Sequence, residues 1–276
     1  MGLSMDWLMI LKAILISIVE GITEFIPISS TGHMILVDEF LKLSDNQHFT
    51  TAFEVIIQLG AIFSVVVFFW NDIWPFTNDK VKQKNAWDLW LKVLVAVIPA
   101  AILGFLFNDI IEEKLFNSTI VAITLIVYGL AMILLERYYR GKSEFKYHTI
   151  ASVPYLIAIA IGFFQCLAMV PGTSRSAATI LGAMLLGLAR GTAAEFSFIL
   201  AIPTMAGATL LTLVKNGAGF SNMEWITIAI GFLVSFIVAY AVIKLFMGFI
   251  RKHDLSVFGY YRIALGLIVL LILWNR

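Results

Sequence analysis

Glu20-Gly21-Ile22-Thr23-Glu24-Phe25-Ile26-Pro27-Ile28-Ser29-Ser30-Thr31-Gly32-His33 decides how this chain folds. The stretch interrupts an apolar region, 7–43, with a proline, three hydroxyls and a glycine. A second stretch, Pro171-Gly172-Thr173-Ser174-Arg175-Ser176-Ala177-Ala178-Thr179, interrupts 149–189 in the same manner. Polar backbone at membrane depth is tolerated only inside protein or beside a water-filled cavity. Each region therefore predicts two helices joined by a loop, the second too short to span: a re-entrant helix–loop–helix hairpin.

The surrounding chain places these breaks in a membrane. Of 276 residues, 61% are hydrophobic and only 13% charged, with a net charge of +1. Soluble domains are about 45–50% apolar and about 25% charged, so a soluble enzyme, a disordered chain and a nucleic-acid binder are excluded. Six further apolar segments reach the about 20 residues a spanning helix needs: 49–74, 86–111, 118–136, 192–214, 225–249 and 258–274. A lone strand cannot satisfy its backbone in lipid, so these are helices. Trp70, Trp74, Trp87, Trp90 and Trp274 stand at span ends, where interfacial belts form. The single cysteine, Cys166, rules out an internal disulfide. Met1–Asp6 carries no basic n-region, so no cleaved signal peptide is expected.

The basic residues set the orientation. Lys80, Lys82 and Lys84, then Arg137, Arg140, Lys142 and Lys146, then Arg190, then Arg251 and Lys252 fall in alternate connections, which makes that side cytoplasmic. The other connections are poor in positive charge: 112–117 holds Glu112, Glu113 and Lys114, and 215–224 holds Lys215 and Glu224. Both termini are then external. The expected fold is an all-α polytopic membrane protein, a single domain over 1–276, with six spans and two hairpins. Each half, about 1–136 and 149–276, is one hairpin plus three spans. Three is odd, so the halves form an inverted repeat whose hairpins enter from opposite faces. A shift of 145 aligns Glu20 with Gln165 and Ser29 with Ser174; Glu54 and Glu195 correspond under a different shift.

Ionisable groups within the membrane need a reason. Glu20 and Glu24, i and i+4, share one helix face; two carboxylates that close call for a proton or a cation, and in an oxygen-rich site for Mg²⁺ or Ca²⁺. Ser29, Ser30 and Thr31 precede a helix, where hydroxyls and free amides bind anions as readily as they cap. Ser30 and His33, three apart, offer a nucleophile and a base. In the second hairpin Gly172 would let backbone approach a ligand, Ser174, Ser176 and nearby amides would donate to phosphate oxygens, and Arg175 supplies a forked cation, or else a bridge to Glu20 or Glu24. Gln165 is a ligand or an interhelical bond. Glu54 and Glu195 are either acceptors that fix His33 or Arg175, or helix glue. Carboxylates, a hydroxyl, an imidazole and an arginine are the parts of a phosphoryl-transfer site. No nucleotide loop or nucleic-acid patch accompanies them, and a site in a membrane would take a lipid phosphate. A transporter or flippase of such a lipid is the rival reading, since inverted repeats with a midplane anion site serve alternating access.

At these residues the chain resembles the bacterial undecaprenyl-diphosphate phosphatase family, known also for bacitracin resistance. The resemblance rests on Glu20–His33 and Pro171–Thr179, with Phe53-Glu54 and Ala194-Glu195 in support, and covers the whole chain. It implies hydrolysis of the terminal phosphate of C55 undecaprenyl diphosphate, leaving the monophosphate carrier used in peptidoglycan synthesis. It also implies a place in the bacterial plasma membrane with the site opening outward. Family residues carry over onto Glu20, Glu24, Ser30, His33, Ser174, Arg175 and Thr179. Whether Ser30, His33 or water attacks stays open, and a homodimer is compatible with all of these readings.

Overall fold

The computed structural model describes residues 2–140, 145–216 and 219–274. Lys142 lies outside them, as do the side chains of Glu112 and Lys215. The chain is helical: α1 (Gly2–Thr23), α2 (Ser30–Phe40), α3 (Gln47–Phe68), a single turn α4 (Trp70–Ile73), α5 (Lys80–Leu115), α6 (Ser118–Tyr139), α7 (Tyr155–Cys166), α8 (Arg175–Leu185), α9 (Arg190–Asn216), α10 (Asn222–Ile250) and α11 (Ser256–Trp274). Six of them, α3, α5, α6, α9, α10 and α11, are long and apolar enough to cross a bilayer. They fall where hydropathy placed the six spans.

Local chemistry sets the ends. Asn46, Asp79, Asn117 and Ser221 cap α3, α5, α6 and α10 by accepting from backbone amides, the usual device for orphan N–H groups. The Asp79 cap starts α5 six residues before the expected span. Lys80, Lys82 and Lys84 therefore belong to the first turns of a 36-residue helix instead of a loop. At 11 residues each, α2 and α8 are about 16 Å long, well short of a bilayer. α1 is longer than expected, at 22 residues.

Hydrogen bonds show where each broken segment begins and ends. The Lys146 and Tyr147 amides donate to Gly187 O, Ala189 N–H to Tyr147 O, and Thr192 Oγ1 to His148 O. The chain thus leaves for α7 and returns from α8 at one end of the bundle. Arg190 at that end grips Glu136 with two donors, and Leu255 N–H bonds the same carboxylate. At the other end Lys12 Nζ reaches Lys42 O, just past α2, and Asn46 Nδ2 reaches Glu224 at the start of α10. The two broken segments approach each other from opposite ends.

Helix pairings come in matched sets. α1 packs on α10 as α7 packs on α5, α3 packs on α10 as α9 packs on α5, and α6 lies along α11. Lipid offers helices no hydrophobic reason to associate, so close packing of small residues does it. A Cβ on Gly162 would lie 2.1 Å from Ala96 O, and one on Gly21 3.0 Å from Ser235 O.

Candidate active site

Both broken segments end in the same backbone device. Ser29 and Ser174 have φ of 74° and 71°, and among the described residues no other non-glycine residue has positive φ. Each is the N-cap of a short helix, its Oγ accepting from the amide three residues on, Gly32 N–H in one and Ala177 N–H in the other. A left-handed residue bearing a Cβ is strained and is held by its surroundings. The turn places Ser30 and Arg175, 145 residues apart, at the first position of α2 and α8, with the first amides of each helix free of intrahelical partners.

Glu24 joins the two. Ser30 Oγ donates to Glu24 Oε2 at 3.1 Å, and Arg175 Nη2 donates to Glu24 Oε1 at 3.2 Å. Arg175 Nη1 is spent on Ser197 O at 2.9 Å, and its guanidinium lies 5.9 Å from the Phe25 ring. Its Nε is buried and unpartnered. Ser176 Oγ bonds Ser174 Oγ at 3.0 Å and approaches the carbonyls of Glu24 and Ile26, so the second loop rests on the first. Of the two bridges open to Arg175, the structure makes the one to Glu24.

His33 is not the partner of Ser30. Its Nδ1 is 2.7 Å from Ser29 O, and Nε2 is 2.7 Å from Tyr261 Oη. A carbonyl only accepts, so Nδ1 carries the proton and the Nε2 lone pair accepts from Tyr261. The i, i+3 spacing suggested a Ser–His pair, but the left-handed turn at Ser29 sends the Ser30 hydroxyl back onto Glu24. The other candidate residues have partners of their own. Gly172, with φ 85°, sets its bare backbone against α6: a Cβ there would sit 2.2 Å from Thr124 Oγ1. Thr179 is committed to Arg175 O at 2.8 Å and Ser197 Oγ at 2.6 Å. Thr31 lies half-buried in the first turn of α2. Neither Glu54 nor Glu195 holds His33 or Arg175. Glu54 is the next carboxylate beyond Glu20, whereas Glu195 lines a cavity of about 370 Å³ with His148, Arg190 and Arg251 at the basic end. Gln165 accepts a long bond from Thr204 at 3.5 Å, and its Nε2 is unpartnered.

Glu20 and Glu24 are 1% and 7% exposed, and Glu20 Oε1 is buried without a hydrogen-bond partner. An orphaned carboxylate oxygen beside a second carboxylate is a donor pair that an oxygen-liganded divalent cation would fit. Among the described residues no cluster of three or more His, Cys, Asp or Glu is placed to hold a metal ion. Sequence reasoning passed over Tyr261, Ser197 and Arg262. The one available signal was Arg262 itself, a cation inside the first half of the last apolar span.

The fold and this interior define a class, polytopic helical membrane proteins that enclose a buried hydroxyl–carboxylate–guanidinium cluster between two broken helices. Residues 13–268 match the family model described as bacitracin resistance protein BacA. The chain is 55% identical over 263 residues to undecaprenyl-diphosphatase 1 of Clostridioides difficile (strain 630), covering 95% of each chain. It is 55% identical to the undecaprenyl-diphosphatase of Fusobacterium nucleatum, over 95% of this chain and 99% of that one. To that of Enterococcus faecalis it is 48% identical over 98% and 99%. The chain belongs to the bacitracin resistance protein BacA family.

Proposed function

We infer that this chain is a membrane hydrolase that converts undecaprenyl diphosphate to undecaprenyl phosphate and inorganic phosphate. The observation that carries the reading is the Ser30–Glu24–Arg175 chain across the two hairpins, in a protein whose relatives bear the name undecaprenyl-diphosphatase. Phosphate binding alone, as in a flippase, has no use for a hydroxyl already bonded to a carboxylate.

Ser30 Oγ attacks the terminal phosphorus. The Oγ–P bond forms as the bridging P–O bond breaks, and its electron pair leaves on undecaprenyl phosphate. The Ser30 proton passes to Glu24 Oε2. Arg175 and the amides that open α8 face the charge spread over the equatorial oxygens, and Ser174 and Ser176 hold that loop in place. Water then attacks the seryl phosphate, Glu24 returns its proton to Ser30 Oγ, and both hydrogens of the water leave with inorganic phosphate. Glu20 and Glu24 would hold the divalent cation, which when bound supplies charge neutralisation for the diphosphate. His33, fixed by Tyr261, keeps the α2 turn in register.

The basic end faces the cytoplasm by the positive-inside rule. The α1–α2 hairpin then opens to the outer face of the bacterial plasma membrane, with α7–α8 re-entering from within. The matched helix pairings and the paired left-handed serines support an inverted repeat.

Purified protein in detergent, given C55 diphosphate with a divalent cation, should release phosphate. EDTA and Ser30→Ala should each stop it. Absence of release under any cation would reject hydrolysis and leave lipid transport.

A further inference from the structure

Arg262, on α11, heads the largest side chains that are wholly buried, and the phosphate chemistry above makes no use of it. Its donors end on backbone carbonyls. Nη1 bonds Pro27 O at 3.2 Å, and Nη2 bonds Gly172 O at 2.8 Å and Thr173 O at 3.0 Å. Longer contacts reach Leu125 O at 3.4 Å and Thr124 O at 3.5 Å on α6, and the Tyr128 ring lies 5.7 Å away. Among the described residues no carboxylate pairs with it. A buried cation with no counter-charge is costly, so five carbonyls and a ring are its whole compensation.

The acceptors are placed with a regularity that packing does not require. Pro27 and Gly172 each stand two residues before a left-handed serine, one on each loop. The loops reach those positions by different backbones, proline in one and glycine at φ 85° in the other, yet one planar fork takes the carbonyl of both. Among the described residues every peptide bond is trans, so a carbonyl turned to Arg262 turns the following N–H away from it. The Thr173 carbonyl thereby fixes the Ser174 amide and with it the turn into α8. A lysine would bring one donor locus where the loops need a fork.

We propose that Arg262 is a positioning residue for phosphate transfer: it ties both loops to one point and holds Ser29 and Ser174 left-handed. That conformation is what brings Ser30 and Arg175 onto Glu24. The proposal rests on the hydrolase reading above and adds to it a residue that touches neither substrate nor nucleophile.

The test is a double-mutant cycle of Arg262→Lys with Ser174→Gly, assayed on C55 diphosphate in one detergent for kcat, KM and Tm. Arg262→Lys should lose about 10²-fold in kcat, the size of a lost transition-state donor, with KM within about threefold. Glycine adopts positive φ unaided. In the Ser174→Gly background the same substitution should therefore cost about tenfold or less. Arg190→Lys, at the Glu136 pair on the basic end, is the control: Tm should fall and kcat per folded molecule should not. Full kcat in Arg262→Lys, or an equal loss with and without Ser174→Gly, would overturn the proposal. Should Arg262→Lys not fold, Gly266→Ala is read by the same criteria. Its added Cβ would meet Ala122 O at 2.8 Å and push α11, with an intact Arg262, off α6. A wild type that releases no phosphate strikes the hydrolase reading instead, and that is known before any variant is made.

Discussion

The α1–α2 loop and the α7–α8 loop share a backbone and divide a chemistry. Each turns through a left-handed serine that caps an 11-residue helix. At the next residue one presents a hydroxyl and the other a guanidinium. The first segment carries Glu20, Glu24 and His33; at the position matching Glu20 the second has Gln165, and its one charge in the turn is Arg175. The lesson is that the geometry worth repeating is the helix start, which offers amides to an anion whatever its side chains are. Charge is then distributed so that the acidic loop and the basic loop meet at Glu24. Two acidic loops would repel, and two basic ones would hold phosphate without a proton acceptor.

That division can be broken in graded steps. Ser30→Ala should reduce phosphate release to background while the protein still folds; if instead Ser30→Ala turns over and His33→Gln is dead, the first loop attacks through its imidazole. Arg175→Lys keeps the charge of the second loop and loses its fork, so kcat should fall by about 10²–10³ with folding intact. Full activity there would reduce the second loop's contribution to net charge. Glu20→Gln leaves the Ser30–Glu24–Arg175 chain whole, and the cation concentration for half-activity should rise by about tenfold. An unchanged cation titration would separate Glu20 from any metal. Tyr261→Phe removes the hydroxyl that His33 Nε2 accepts from and should cost only about threefold in kcat. A loss as deep as that of Ser30→Ala would place His33 in the chemistry.

The spans were readable because each is a long apolar run, and the loops because proline, serine and glycine interrupt such runs with groups that lipid cannot satisfy. Ser29 and Ser174 aligned under a shift of 145, but nothing in their identity announced positive φ, which serine adopts only under constraint. The spacing of Ser30 and His33 is helical, as expected, but periodicity does not show partners outside the helix: Ser30 Oγ bonds Glu24, and His33 bonds Ser29 O and Tyr261. Thr179 and Gly172 read as ligands because a hydroxyl or a bare backbone near an arginine looks like a phosphate site. The contacts they also make, to Ser197 on α9 and Thr124 on α6, come from other helices and leave no local sequence signal. Arg262 was lost for a different reason. One arginine barely lowers the hydropathy of a 17-residue apolar run, and carbonyl acceptors leave no trace in a sequence, because every residue has one.

Gly129 on α6 and Gly259 on α11 meet in a contact that reads the same from either helix. A Cβ on Gly129 would lie 2.7 Å from Gly259 O, and a Cβ on Gly259 would lie 2.7 Å from Gly129 O. Such a reciprocal contact is the kind a twofold axis makes between identical subunits. It admits no trade: a larger residue on one helix cannot be offset by a smaller one opposite, because neither side has an atom left to remove. The same Gly129 Cβ would come within 3.2 Å of Arg262 Cβ. The separation of these two helices is therefore the dimension against which the two loops are gauged, set by the absence of two methyl groups.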